Sequence, residues 1–217
     1  MPKDVKLVIF DMDGLIFDTE TLYLKKWFVA AEMFGLTITE DAVIASMGAN
    51  RKGQEEFFLN YFGKDFPFND VISVISELIV RDVEENGLKI KPGFRELIDF
   101  LDKKGIKKAL ATSTGHLRTE KYMKIAGTEK TFDTIVCGDM IANGKPAPDI
   151  FLKAAENLGI APEKCMVLED SANGILAACN AGMIPVCIPD IKKPSPEIIG
   201  KCYRVLPSLD LVKNEIL

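Results

Sequence analysis

A short apolar strand that ends abruptly in two carboxylates constrains this chain most. Residues 6–18 read KLVIFDMDGLIFD, and Leu7–Phe10 has the β-branched, apolar character of a strand buried on both faces of a parallel sheet. Asp11 and Asp13 follow at once, and Gly14 tolerates almost any backbone geometry. Because ligands bind at the carboxyl ends of strands in open α/β sheets, we expect the two acids at a ligand crevice.

A D-x-D-G motif also begins some calcium loops. An EF-hand needs oxygen ligands across a twelve-residue loop that ends in Glu between two helices. Here the motif follows a strand, and Thr21, Leu22 and Tyr23 lie downstream. The sequence therefore disfavours calcium. For an isolated motif, the simpler interpretation would be that Asp11 caps a turn and Asp13 is solvated.

Composition and charge exclude several classes of protein. Of the 217 residues, 47% are hydrophobic and 27% charged, which is ordinary for a soluble globular protein. A net charge of −5 gives no general attraction to nucleic acid or anionic membrane. No stretch approaches the ~20 apolar residues of a transmembrane helix, and the N-terminal run is too short for a secretory signal. We expect a cytoplasmic protein, with its five cysteines reduced.

The spacing of apolar residues changes twice along the chain. From Phe17 to about Leu88 the apolar spacing is helical and no convincing strand is present, which predicts a small helical domain over 17–88, inserted after the first strand. Residues 1–16 and 89–217 form the predicted core, where strands alternate with helices and so imply a parallel sheet. The later strands are predicted at 108–111, 134–137, 165–168 and 184–188, with a weaker one at 203–206.

Further polar side chains lie where later strands end. Thr112 ends the second strand, Glu169 and Asp170 end a later one, and Lys145 lies in the loop GKPAPD. Each has a simple structural interpretation: a strand-end hydroxyl, a helix cap and a solvated turn lysine. Their joint occurrence at successive strand ends favours one shared crevice.

Such a crevice suits magnesium and phosphate. Mg²⁺ prefers one or two carboxylates plus water and substrate phosphate, and Asp11 and Asp170 can supply the carboxylates. Lys145, the Thr112 hydroxyl and the amides that follow Asp11 and Thr112, the latter being that of Ser113, can hold phosphoryl oxygens. An aspartate can attack phosphorus, and a second acid two residues on can protonate the leaving oxygen.

Four motifs resemble those of the haloacid dehalogenase (HAD) superfamily of phosphohydrolases. They are DMDG, the Thr of LATST, GKPAPDIF and VLEDSANG, in that order over essentially the whole chain. The resemblance implies an α/β fold with a doubly wound, Rossmann-like parallel sheet and an inserted all-helical cap that closes over the substrate.

The resemblance also implies roles for individual residues. Asp11 would be the nucleophile and Asp13 the general acid/base. The remaining roles fall into two groups: Thr112, Ser113 and Lys145 would bind phosphate, and Asp11, the Asp13 carbonyl and Asp170 would bind Mg²⁺. Glu169 has two interpretations, as a further metal ligand or as the partner of Lys145.

Within the superfamily, the chain looks like the group of β-phosphoglucomutases and small sugar-phosphate or nucleotide phosphatases. The similarity rests on FDMDGLIFDTE, on Met47 with Gly48, and on LATSTG. A mutase of that group uses a cap histidine where this chain has Tyr23, and a phenol with a pKa near 10 is a poor substitute. Asp13 further favours phosphoryl transfer over carbon–halogen cleavage. A phosphatase is therefore preferred over a mutase.

Four residues are predicted to face the substrate: Glu20, Tyr23, Met47 and Arg51. Met47 also fits simple core packing. Arg51 matches a cap arginine that contacts the distal phosphate of bisphosphorylated sugars, but it fits a solvent-facing helix position equally well.

The sequence therefore predicts a Mg²⁺-dependent phosphatase of a small phosphorylated metabolite, such as a sugar phosphate or a nucleotide-like monophosphate. The alternatives are a β-phosphoglucomutase-like phosphoryl transferase and a non-catalytic regulatory protein, against which the intact set of polar residues argues. No nucleic acid or membrane partner is expected. The oligomeric state is open between a monomer and a weak homo-oligomer.

Overall fold

A six-stranded parallel sheet organises the protein. The computed structural model describes residues 4–216, and its strands are hydrogen-bonded in the order β3-β2-β1-β4-β5-β6. All five pairings are parallel, which confirms the predicted doubly wound α/β fold. The strands are β1 (Leu7–Phe10), β2 (Lys107–Thr112), β3 (Thr134–Cys137), β4 (Cys165–Glu169), β5 (Ile184–Cys187) and β6 (Arg204–Val205).

The helices fall into two sets along the chain. Four follow β1 without an intervening strand: α1 (Thr19–Met33), α2 (Glu40–Ser46), α3 (Arg51–Phe62) and α4 (Phe68–Asn86). The others alternate with strands: α5 (Phe94–Lys104), α6 (His116–Ala126), α7 (Asp149–Asn157), α8 (Ala172–Asn180) and α9 (Pro196–Ile199). Within residues 4–216, no helix is long and apolar enough to cross a membrane.

Strand β1 is buried on both faces, as its unbroken apolar run predicts. Leu7 and Ile9 pack into a cluster with α7 and α8, whereas Val8 and Phe10 pack into a second cluster with α5. Successive side chains of a strand point to opposite faces of the sheet. Helices therefore cover both faces of the sheet. The polar residues that follow the strands lie at the carboxyl ends of the strands.

Helices α1 to α4 share an apolar cluster of their own. Trp27 and Phe58 are fully buried in it, with ring centroids 4.4 Å apart. Helix α4 begins at Phe68, because Phe68 packs into this cluster and Pro67 is tolerated at the helix N-terminus. The cap boundaries at 17 and 88 stay predictions.

A tight turn joins β1 to α1, which the sequence pattern did not predict. The amides of Ile16 and Phe17 both donate to the Met12 carbonyl, and the Gly14 amide donates to the Phe17 carbonyl. The turn also pairs with the segment that returns from α4, since the Lys91 amide donates to the Ile16 carbonyl at 2.8 Å. The two segments that connect the core to helices α1 to α4 are thus hydrogen-bonded to each other, close to Asp11.

Candidate active site

Strand register brings the predicted polar residues together. Phe10 lies opposite Leu110 of β2 and opposite Leu168 of β4, and the Asp11 amide donates to the Leu168 carbonyl at 3.1 Å. Asp11 therefore emerges between the ends of these two strands. This arrangement places Asp11 beside Thr112 on one side and beside Glu169 and Asp170 on the other.

Lys145 is a buried ammonium at the centre of the acids. Its Nζ donates to Asp11 Oδ1 at 2.5 Å, to Glu169 Oε1 at 2.5 Å and to the Ala111 carbonyl at 3.2 Å. Burial alone would lower the pKa of Lys145, but the carboxylates of Asp11 and Glu169 together hold it above its ordinary value. Lys145 is therefore charged and fixed in position, and it is not the solvated turn lysine of the simpler interpretation.

Glu169 has both carboxylate oxygens engaged. Oε1 accepts from Lys145, and Oε2 accepts from the Ser171 amide at 3.1 Å and the Ser171 hydroxyl at 2.9 Å. A Cβ added at Gly174 would lie 1.9 Å from the Glu169 carboxylate, so helix α8 approaches that closely only with glycine there. Of its two predicted roles, Glu169 thus makes the contacts of a partner of Lys145.

Three acids form a cluster that could hold a metal ion. Asp11, Glu169 and Asp170 each offer an oxygen, and these oxygens lie within 4.8 Å of one another. Burial raises the pKa of Asp11 to about 8, against the opposing effect of Lys145. Burial also raises the pKa of Asp170, helped by the charges of Glu169 and Asp11. These three carboxyl groups thus share one ammonium, and a divalent cation bound by this donor set would favour their ionised forms.

Gly14 is required by this cluster for two reasons. Its φ of +76° is in the left-handed region that favours glycine, and an added Cβ would lie 2.4 Å from Asp170 Oδ2. The D-x-D-G sequence thus lets the turn pass closely against Asp170.

Asp13 is held beside the cluster by a residue that the sequence reasoning missed. Its Oδ2 accepts a hydrogen bond of 2.7 Å from the Thr114 hydroxyl. The Thr114 amide in turn donates to Thr112 Oγ1 at 3.1 Å. Thr114 follows Thr112 and Ser113 in LATST, so the run of hydroxyls in this motif is the signal that points to it.

A cavity of about 340 Å³ lies over these residues. The core contributes Asp11, Asp13, Thr112, Ser113 and Asp170, which end or follow strands, and Lys145 from the loop before α7. The helical segment contributes Glu20, Gly48, Arg51 and Gln54. Asn173 lines the cavity too, and neither Asn173 nor Gln54 was predicted from the sequence. Six of the seven predicted core residues therefore line one cavity, whereas Glu169 is fully buried and does not line it.

The four predicted substrate residues occupy different positions. Glu20 and Arg51 line the main cavity, whereas Tyr23 and Met47 line an adjoining one of about 310 Å³. Met47 is only 3% exposed and belongs to the apolar cluster that helices α1 to α4 share, in agreement with core packing. Burial raises the pKa of Glu20 to about 7, and the charges of Asp13 and Asp190 add to the rise.

Arg51 is exposed but not simply solvated. Its guanidinium donates to Asn69 Oδ1 at 2.8 Å and lies 4.7 Å from the centroid of the Phe68 ring. No carboxylate among residues 4–216 forms an ion pair with it. Its side chain is thus held by neutral groups at the wall of the cavity.

The single histidine is engaged elsewhere. His116 Nδ1 lies 2.6 Å from Asp139 Oδ2 at the start of α6, and the hydrogen bond to Asp139 raises the pKa of His116. His116 does not line the main cavity. No histidine is therefore available to the acids there.

Comparison with known proteins agrees with this geometry. The sequence matches the family described as haloacid dehalogenase-like hydrolase over residues 5–182. It is 40% identical over 180 residues to the phosphorylated carbohydrates phosphatase of Thermotoga maritima, covering 82% of each chain. It is 31% identical to the beta-phosphoglucomutase of Bacillus subtilis, covering 84% of this chain and 82% of that protein.

Solved structures share the architecture. The structure of CbbY from Rhodobacter sphaeroides in complex with phosphate covers 95% of each chain, with 28% identity and a TM-score of 0.76. The family match spans most of the sequence and includes the acids at the ends of β1 and β4. The chain therefore belongs to the haloacid dehalogenase-like hydrolases.

Proposed function

We propose that this hydrolase is a Mg²⁺-dependent phosphatase that cleaves a small phosphorylated metabolite through an aspartyl phosphate on Asp11. The observation that carries the proposal is the convergence of Asp11, Asp170 and Lys145 at one edge of the sheet, under a cavity that Asp13 also lines. A sugar phosphate or a nucleotide-like monophosphate is the proposed substrate. The name of the Thermotoga maritima relative supports the carbohydrate class.

Asp11 and Asp170 would hold the Mg²⁺, together with the main-chain carbonyl of Asp13. Mg²⁺ would neutralise charge on the phosphoryl oxygens when it is bound. Lys145, Thr112 and Ser113 would bind the same phosphoryl group from the other side. These assignments are supported by a cluster of three acids and by the one fixed ammonium beside it.

In the first step, an Asp11 carboxylate oxygen attacks phosphorus. The new O–P bond forms as the ester O–P bond breaks, and Asp13 gives a proton to the departing oxygen. In the second step, water attacks phosphorus while Asp13 takes its proton. The bond between Asp11 and phosphorus then breaks, which releases inorganic phosphate and restores the carboxylate. Thr114 supports this role because it holds Asp13 Oδ2 in place.

Tyr23 supports hydrolysis over the mutase reaction. Its hydroxyl is buried, and burial raises its pKa above the ordinary value near 10. A phenol in this state stays neutral near pH 7 and does not act as a base. We also propose residues 17–88 as the cap, with Glu20 and Arg51 as its substrate contacts.

Product analysis across a panel of phosphate esters tests the function. We expect Mg²⁺-dependent release of inorganic phosphate from sugar phosphates or nucleoside monophosphates, and its loss in EDTA. β-Glucose 1-phosphate with a bisphosphate primer is the matched arm for the mutase. Formation of glucose 6-phosphate without phosphate release would replace our proposal with the mutase. Absence of any Mg²⁺-dependent turnover would favour the non-catalytic alternative.

A further inference from the structure

The loop that joins α2 to α3 forms one wall of the main cavity. Gly48, Ala49 and Asn50 of this loop, with Arg51 at the start of α3, line the same cavity as Asp11 and Asp13. The Asn50 side chain accepts from the Gly53 amide and so caps helix α3. The position of this loop therefore sets the position of the cap residues that face the substrate.

Core residues hold this loop through its main chain. Lys192, in the segment after β5, donates from Nζ to the carbonyls of Ala45 and Met47, both at 2.8 Å. Asn173, in the first turn of α8, donates to the Gly48 carbonyl, also at 2.8 Å. Three carbonyls within four consecutive residues thus accept from donors on the core side of the cavity.

The two Lys192 contacts suit the end of a helix. Helix α2 ends at Ser46, so the carbonyls of Ala45 and Met47 have no partner inside the helix and carry partial negative charge. Lys192 forms no ion pair with a carboxylate in the described part of the chain, and its ammonium is used on these carbonyls. Burial lowers the pKa of Lys192, although the Glu20 charge opposes this, as expected for an ammonium partly removed from water.

The backbone of the α2–α3 loop has little freedom to adjust if these hydrogen bonds are lost. Gly48 has a φ of +72°, and a Cβ added there would lie 3.5 Å from Ser171 Cβ, so the chain passes directly over the start of α8. Elsewhere between α4 and α6, Arg118 donates to the Ser76 hydroxyl and Lys121 pairs with Glu84. Those contacts join exposed side chains, whose net contribution is small, and they do not touch the cavity-lining loop.

We propose that Lys192 is a positioning residue, which acts through the α2–α3 loop to hold the cap wall of the cavity over the catalytic aspartates. Asn173 assists it. The proposal builds on the proposed phosphatase activity, but its structural part does not depend on turnover.

Lys192→Met tests the proposal, with Lys193→Met as matched control. Lys193 is the neighbouring lysine of the same segment, and it donates only to the Asp190 carbonyl. In Lys192→Met we expect hydrogen exchange of the amides over residues 45–51 to rise, and kcat/KM for p-nitrophenyl phosphate to fall about three- to tenfold, mainly through KM. Lys193→Met should change neither, and Lys192→Arg should restore most of both.

Exchange is measured in an Asp11→Asn background as well, so that it reports the loop whether or not the enzyme turns over. Unchanged exchange in Lys192→Met would overturn the proposal, and so would increased exchange with unchanged kcat/KM. If Lys192→Met does not fold, Lys192→Gln serves in its place. Failure of the phosphatase assignment shows separately, as inactive wild-type protein.

Discussion

Asp11→Asn is expected to abolish phosphate-ester hydrolysis while leaving the fold intact. The amide keeps the shape of the carboxylate and an oxygen that accepts from Lys145, which lies 2.5 Å from Asp11 Oδ1 in the native protein. It removes the nucleophile, so kcat should fall at least about 10³-fold. Steady-state assay with p-nitrophenyl phosphate in Mg²⁺ measures the loss, and circular dichroism checks the fold.

Asp139→Asn is the matched control for this variant. Asp139 follows another strand, β3, but it pairs with His116 and does not line the main cavity. Its kcat should stay within about twofold of the native value, since surface substitutions have small effects. A well-folded Asp11→Asn protein with native turnover would contradict the assignment of Asp11.

Lys145→Met is expected to damage both stability and activity. The substitution leaves the buried carboxylates of Asp11 and Glu169 without their shared ammonium. Removing one partner of a buried ion pair costs about 3–5 kcal/mol of unfolding free energy. Losing a fixed donor to the phosphoryl group should lower kcat by about 10²-fold or more. Urea unfolding in EDTA measures the first effect, because added Mg²⁺ would partly replace the lost charge.

Lys153→Met on helix α7 provides the comparison for stability. Lys153 forms an exposed pair with Glu156, within one helix, and such pairs contribute about 0–1 kcal/mol. If Lys145→Met unfolded at the same urea concentration as Lys153→Met, the account of Lys145 as the charge that holds the acids together would be wrong.

Short apolar runs with clear ends made much of the core predictable from the sequence. Strand β3 has its predicted bounds, 134–137, because a short apolar run defines it. Register then followed from the parallel topology, which brings the ends of β1, β2 and β4 together. The grouping of Asp11 with Asp170 was therefore predictable from residue types at strand ends, and that of Lys145 from the loop GKPAPD that follows a neighbouring strand.

Features that depend on distant partners were not predictable. The turn after Asp11 is fixed by pairing with Lys89 and Lys91, more than seventy residues away. The Lys192 contacts join main-chain carbonyls about 145 residues earlier, and carbonyls leave no signature in a sequence. The contact between Glu169 and Lys145, 24 residues earlier, likewise needed the folded structure.

Covalent trapping tests the central claim most directly. The enzyme is quenched during turnover of a phosphate ester with Mg²⁺ and reduced with borohydride, which converts an aspartyl phosphate to homoserine. Our account predicts homoserine at position 11 by peptide mass spectrometry. Homoserine at another position would contradict it. An unmodified residue 11 would also contradict it, in enzyme that the turnover assay shows to accumulate a phosphoenzyme.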